Sequence, residues 1–139
     1  MNLDFGRNAA AMTYREIAPT DAHDRLRSEA PPQLLDVRQA FEFEDHRIDG
    51  ATLIPLDEIE SRVGELDPAR PTVVVCAKGG RSAAACQFLA QRGFADLHNL
   101  TGGMTAWLAA GLPHTEGPVG GSGDGDEPRR GWLGRLFGR

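Results

Sequence analysis

The 139-residue chain has only two cysteines, Cys76 and Cys86. Two thiols ten positions apart do not make a disulfide framework, and a reducing, cytoplasmic compartment is expected. No apolar run approaches the roughly 20 residues that a membrane span requires. Met1 to Ala11 lacks the charged-then-apolar layout of a secretion signal. The formal net charge is −5, and no basic face dominates the body, so no nucleic-acid partner is expected. No cluster has metal-ligand spacing, and neither a metal nor an organic cofactor is expected. His23, His98 and His114 read as surface or packing residues.

What remains is ordinary globular composition, 40% hydrophobic and 25% charged, in a length that suits one domain. Residues 1–11 read as an N-terminal extension. Met12 to Ile17 alternates as a strand, and Pro19-Thr20-Asp21 opens a helix to about Glu29, with Thr20 or Asp21 as N-cap. Gln33 to Val37 is a short buried strand, Ala40 to Glu44 one or two helical turns, and Ala51 to Ile54 another strand. Pro55 suits the first position of a helix over Leu56 to Val63. Thr72 to Val75 is the central strand, Ser82 to Arg92 a helix closed by Gly93, and Asp96 to Leu100 the last strand. Met104 to Ala110 is the last helix. Strands alternating with helices imply an α/β fold with a mainly parallel sheet covered by helices on both faces. Residues 114–128 turn to Gly, acid and Pro, a flexible linker spanning roughly 20 Å. Residues 129–139 carry Trp132, Leu133, Leu136 and Phe137 at helical spacing among arginines. That basic amphipathic tail suits weak docking on a membrane surface or a partner groove; a disordered tail is the alternative.

The informative segment is Cys76-Ala77-Lys78-Gly79-Gly80-Arg81-Ser82. It places a thiol between a β-branched strand and a helix N-terminus, beyond the carboxyl ends of the strands, where ligands sit in such sheets. Inward-pointing loop N–H groups and the helix dipole favour thiolate over thiol and attract an anion to the sulfur. Gly79 and Gly80 permit the turn and the close backbone approach. Lys78 and Arg81 are the cations placed to attract an anionic substrate and to lower the Cys76 pKa. Nucleophilic sulfur acting on an anion is the chemistry implied.

The loop resembles the Cys-x-x-Gly-x-Arg-Ser form of the single-domain rhodanese family. Leu34-Leu35-Asp36-Val37-Arg38, Phe41-Glu42-Phe43, His46-Arg47-Ile48-Asp49-Gly50-Ala51 with Ile54-Pro55, and Gly102-Gly103 with Trp107 resemble its other landmarks in order. The resemblance covers about residues 12–113. It implies a rhodanese-like fold and a sulfurtransferase: Cys76 takes sulfane sulfur from thiosulfate or a related small anion, holds it as a persulfide, and passes it to cyanide or a thiol. Ala77, Lys78, Gly79, Gly80, Arg81 and Ser82 would bind the substrate, their amides cradling the persulfide. Asp36 and Arg38 are expected as supporting scaffold, Asp36 bonding near the loop and Arg38 reaching the pocket rim. Many family members carry arginine directly after the cysteine; Ala77 stands there here.

Two rival readings use a similar cysteine loop, and the loop length argues against the first. Phosphatases of a related fold have five residues between cysteine and arginine; the four here leave a pocket sized for one sulfur atom. A persulfide-carrier module, exchanging sulfur with a protein donor or acceptor and having little thiosulfate activity of its own, needs the same cysteine and loop. Cys86 and Trp107 read as core residues, with a resolving role toward Cys76 as the other reading of Cys86.

Overall fold

A computed structural model describes residues 13–119. The extension 1–11 and the tail 129–139 lie outside them. Five strands form one sheet: β1 (Arg15–Ile17), β2 (Gln33–Asp36), β3 (Thr52–Leu53), β4 (Thr72–Val75) and β5 (Leu97–Leu100). Their order is β1-β5-β4-β2-β3, and every pairing is parallel. The helices are α1 (Pro19–Leu26), α2 (Ala40–Asp45), α3 (Ile59–Arg62), α4 (Gly80–Gln91) and α5 (Gly103–Ala109). Short 3₁₀ turns, Leu56–Glu58 and Val63–Glu65, flank α3.

The period of two in a strand explains both cores. Leu34, Val73, Val75 and Leu100 pack on one face with Ala22, Met104 and Trp107 from α1 and α5. Leu35, Val74 and Cys76 pack on the other with Ile59, Ala85, Cys86 and Leu89 from α3 and α4. A strand buried on both faces carries apolar residues without alternation, as Val73-Val74-Val75 does. Cys76 therefore continues the Val74 face and is buried against α4, at the carboxyl end of the central strand. Among the described residues no helix is long and apolar enough to cross a membrane.

Several boundaries differ from expectation. Ala18, not Thr20 or Asp21, caps α1, in extended conformation and with Pro19 behind it. Proline disfavours helical geometry in the residue before it, so the boundary falls at Ala18. Pro55 is likewise the N-cap rather than the first helical residue, and α1 stops at Leu26. Residues 114–119 do not begin a free linker. Thr115 forms an antiparallel bridge with Arg47, with N–O distances of 2.9 and 2.8 Å. Gly117 then donates to the Glu44 carbonyl at 2.7 Å and accepts from the Arg47 guanidinium at 2.7 Å. Bonds at Thr115 and Gly117 lace this segment to the end of α2, although the glycine- and acid-rich run begins directly after it at residue 120.

Candidate active site

The site begins where β4 ends. Gly79, at φ 112°, is the left-handed N-cap of α4, so the chain from Cys76 to Gly80 curls back over the sulfur. The Gly79 N–H donates to Cys76 Sγ at 3.0 Å, and Ser82 Oγ lies 3.2 Å from the same sulfur. On the other side of the loop, Met104 N–H donates to the Cys76 carbonyl at 2.8 Å and Thr105 N–H to the Ala77 carbonyl at 3.0 Å. The first amides of α5 thus hold the loop carbonyls and leave the loop N–H groups for the sulfur. Gly103 makes this fit possible: a Cβ there would collide with the Cys76 and Ala77 carbonyls.

Burial pushes the Cys76 thiol up. The Ser82 hydroxyl and the N–H groups of Ser82, Gly79 and Lys78 act against it and bring the pKa below its ordinary value. Hydrogen bonds, rather than the cations expected for the task, do most of the lowering. Ser82 Oγ has a single proton and two acceptors within reach, the Cys76 sulfur and Asn99 Oδ1, so its donation to one is made at the expense of the other. Asn99 Nδ2 in turn donates to Glu16 Oε2 at 3.0 Å and to the Gly79 carbonyl at 3.2 Å. Both amide protons find acceptors, which fixes Asn99 Oδ1 toward Ser82. Asn99 carries no signal in its own segment of sequence; the β4–β5 register delivers it.

The expected site residues divide into three groups. Cys76, Gly79 and Ser82 converge on the sulfur. Arg81 is half-buried, but its two terminal nitrogens donate to Glu42 at 2.7 and 2.9 Å, a bidentate pair. That bond first, and the Cys76 and Asp36 charges more weakly, raise the Arg81 pKa. Lys78 is exposed and pairs with no carboxylate among the described residues. Asp36 and Arg38 are both buried and bond each other, with Nε at 3.0 Å and a terminal nitrogen at 2.7 Å. Arg38 also donates to the carbonyls of Glu42 and His46, at 3.1 and 2.6 Å, so it pins α2 from below. Breaking a buried pair of this kind leaves a lone buried charge, at a cost of about 3–5 kcal/mol.

A cleft of about 390 Å³ opens between α2 and α5, lined by Arg38, Phe41, His46, Ala77 and Met104 among others. Ala77 connects it to the cysteine loop; Cys76 itself does not line it. Phe41, 74% exposed, forms part of its rim.

A small parallel sheet, a cysteine loop at its carboxyl edge and a helix N-terminus over the thiol point to one family. The rhodanese-like domain family model matches residues 18–110. The chain belongs to the rhodanese family. Among similar proteins, the thiosulfate sulfurtransferase GlpE of Shewanella oneidensis is 39% identical over 78 residues, covering 56% of this chain and 77% of the relative. The putative sulfur carrier protein YrkF of Bacillus subtilis is 32% identical over 97 residues, 70% of this chain and 52% of the relative. The crystal structure of a rhodanese-related protein from Thermoplasma volcanium superposes with a TM-score of 0.67 at 32% identity, covering 73% of this chain and 98% of that one.

Within this rhodanese domain Cys86 is fully buried in the core, and burial pushes its pKa up to about 12. Both cysteines are free thiols. Trp107 is a core residue, with Nε1 donating to the Pro113 carbonyl at 2.8 Å and His23 edge-on at 5.7 Å. His98 is buried and bonds Asp96 and Arg25. Spacing along the chain shows no ligand cluster, yet the fold brings His46, His114 and Glu116 together.

Proposed function

We propose that this rhodanese is a sulfurtransferase working through a Cys76 persulfide. The supporting observation is the Cys76 sulfur itself: buried, bonded by the Gly79 N–H at 3.0 Å and beside the Ser82 hydroxyl at 3.2 Å. The thiolate attacks the outer sulfur of a donor such as thiosulfate. A Cys76–sulfur bond forms, the donor S–S bond breaks, and sulfite leaves with the electron pair. The terminal sulfur then carries the negative charge. The amides of Gly80 and Arg81, in the first turn of α4 and without backbone acceptors among the described residues, are the donors for it. A nucleophile such as cyanide or a thiolate attacks that sulfur, and Cys76 departs as thiolate. No outside oxidant or reductant enters.

With Arg81 held by Glu42 and Ala77 directly after the cysteine, Lys78 is the loop's one cation without a carboxylate partner among the described residues. This favours a second form of the same chemistry, in which a protein or low-molecular-weight persulfide loads Cys76 and the domain serves as a sulfur carrier. Intact-mass measurement before and after thiosulfate tests both. A gain of about 32 Da, reversed by cyanide and absent in Cys76→Ala, supports the thiosulfate reaction. Loading by a persulfide donor alone supports the carrier form, and loading by neither overturns the proposal.

A further inference from the structure

We propose that His46, His114 and Glu116 form a binding site for a divalent late-transition ion, Zn²⁺ first, at the edge of the cleft. The Arg47–Thr115 bridge creates it. In an antiparallel pair the flanking residues fall opposite each other, so His46 faces Glu116 while His114 lies two residues back on the same face. His46 lies 68 positions from His114 and 70 from Glu116, and it meets them only because that bridge sets the register.

The atoms are arranged for ligation. His114 Nε2 lies 3.0 Å and His46 Nε2 3.5 Å from the same Glu116 oxygen, and all three ligand atoms fall within 4.8 Å of one another. Ligands held at about 2.0–2.1 Å around a tetrahedral zinc are roughly 3.4 Å apart. The remaining ring nitrogens already have acceptors. His46 Nδ1 is 2.8 Å from Asp45 Oδ2, and His114 Nδ1 is 3.4 Å from the Leu112 carbonyl. A proton on each Nδ1 leaves both Nε2 lone pairs directed to the metal, and a carboxylate or carbonyl behind a ligating imidazole is the usual support. Two imidazoles and one carboxylate suit zinc, nickel or cobalt rather than magnesium or calcium.

Competing ligands are few. All four histidines and both cysteines of the chain lie among the described residues. His98 is buried against Asp96 and Arg25, His23 packs on Trp107, and Cys86 is sealed in the core. Cys76 is the one reactive competitor, and a Cys76→Ser background removes it. Asp45 and His46 also line the cleft, so the ion would sit beside the passage leading to the cysteine loop and would tie the chain after α5 to the end of α2.

The test is a Zn²⁺ titration of the full-length Cys76→Ser protein by calorimetry, with Co²⁺ absorption as a second probe. One equivalent is expected to bind, the cobalt form lacking thiolate-to-metal charge transfer. His114→Ala and Glu116→Gln, both on exposed side chains, should each weaken binding by about tenfold or more with the circular dichroism unchanged. Absence of binding in Cys76→Ser overturns the site, as does binding that both variants leave intact.

Discussion

Arg81 and Glu42 are joined by two hydrogen bonds, at 2.7 and 2.9 Å, across the mouth of the cysteine loop. The loop cation that residue order alone aims at an anionic substrate is therefore largely neutralised by a carboxylate from α2. The pairing bonds to Arg81 bring the Glu42 pKa down to about 2.

Releasing this clamp should change how the protein handles thiosulfate. Glu42→Gln leaves Arg81 free to face a dianion, and a partly exposed charge contact of about 0.2–1 kcal/mol corresponds to a factor of roughly 1.5–5. KM for thiosulfate is expected to fall by that factor with kcat little changed. Steady-state kinetics with cyanide as acceptor would show it, and an unchanged or higher KM would contradict it.

The same pair predicts a pH signature. The folded-state pKa of Glu42 lies below its unfolded value near 4.5, so its stabilising contribution is fully present above that value. It is lost as pH falls toward about 2. Denaturant unfolding of wild type and Glu42→Gln should differ at pH 6, and the difference should shrink steadily below pH 5. A gap that persists at pH 2.5 would assign the effect to packing instead.

Ser82 and the loop amides together lower the Cys76 pKa, so iodoacetamide should alkylate Cys76 with a midpoint below that of an ordinary thiol. Ser82→Ala removes the hydroxyl and should move the midpoint upward. Cys76→Ala should abolish sulfur transfer while the thermal transition remains cooperative.

Gly103→Ala should be among the most damaging changes of a single methyl group. Residue 103 sits at φ 60°, and the added Cβ would strike the Cys76 and Ala77 carbonyls. Left-handed strain alone costs about 1–3 kcal/mol. Thermal unfolding should show at least that loss, together with slower loading of Cys76.

Cys86 separates structure from chemistry. Its thiol is buried and held neutral, so a thiol reagent should titrate one cysteine in the native protein and two after denaturation. Cys86→Ser places a hydroxyl in the core at a cost of about 1–3 kcal/mol and should leave persulfide loading intact.

The parallel sheet and the position of Cys76 are visible in the sequence because both depend on neighbours in the chain. Thr72 to Val75 is β-branched throughout, and two glycines and a helix follow the cysteine. The relationships that tune the site are of another kind. Asn99 reaches Ser82 through the β4–β5 register, Glu42 reaches Arg81 from 39 positions away, and His114 and Glu116 reach His46 through a single backbone bridge. Each depends on pairings between segments that no local pattern encodes. Residues 114–117 are the clearest case: they read as linker because of the glycine- and acid-rich run that follows them, yet bonds from Arg47 and Glu44 hold them in place.

The two edge strands of the sheet are its shortest, three residues in β1 and two in β3. An exposed edge this brief offers almost no ladder onto which a visiting chain could add a strand. A protein that exchanged sulfur with this domain would be expected to meet it through side chains at the cleft rim, where Phe41 stands out, rather than through backbone augmentation. Specificity between donors would then rest on a few exchangeable surface residues, free to diverge while the sheet that carries Cys76 stays the same.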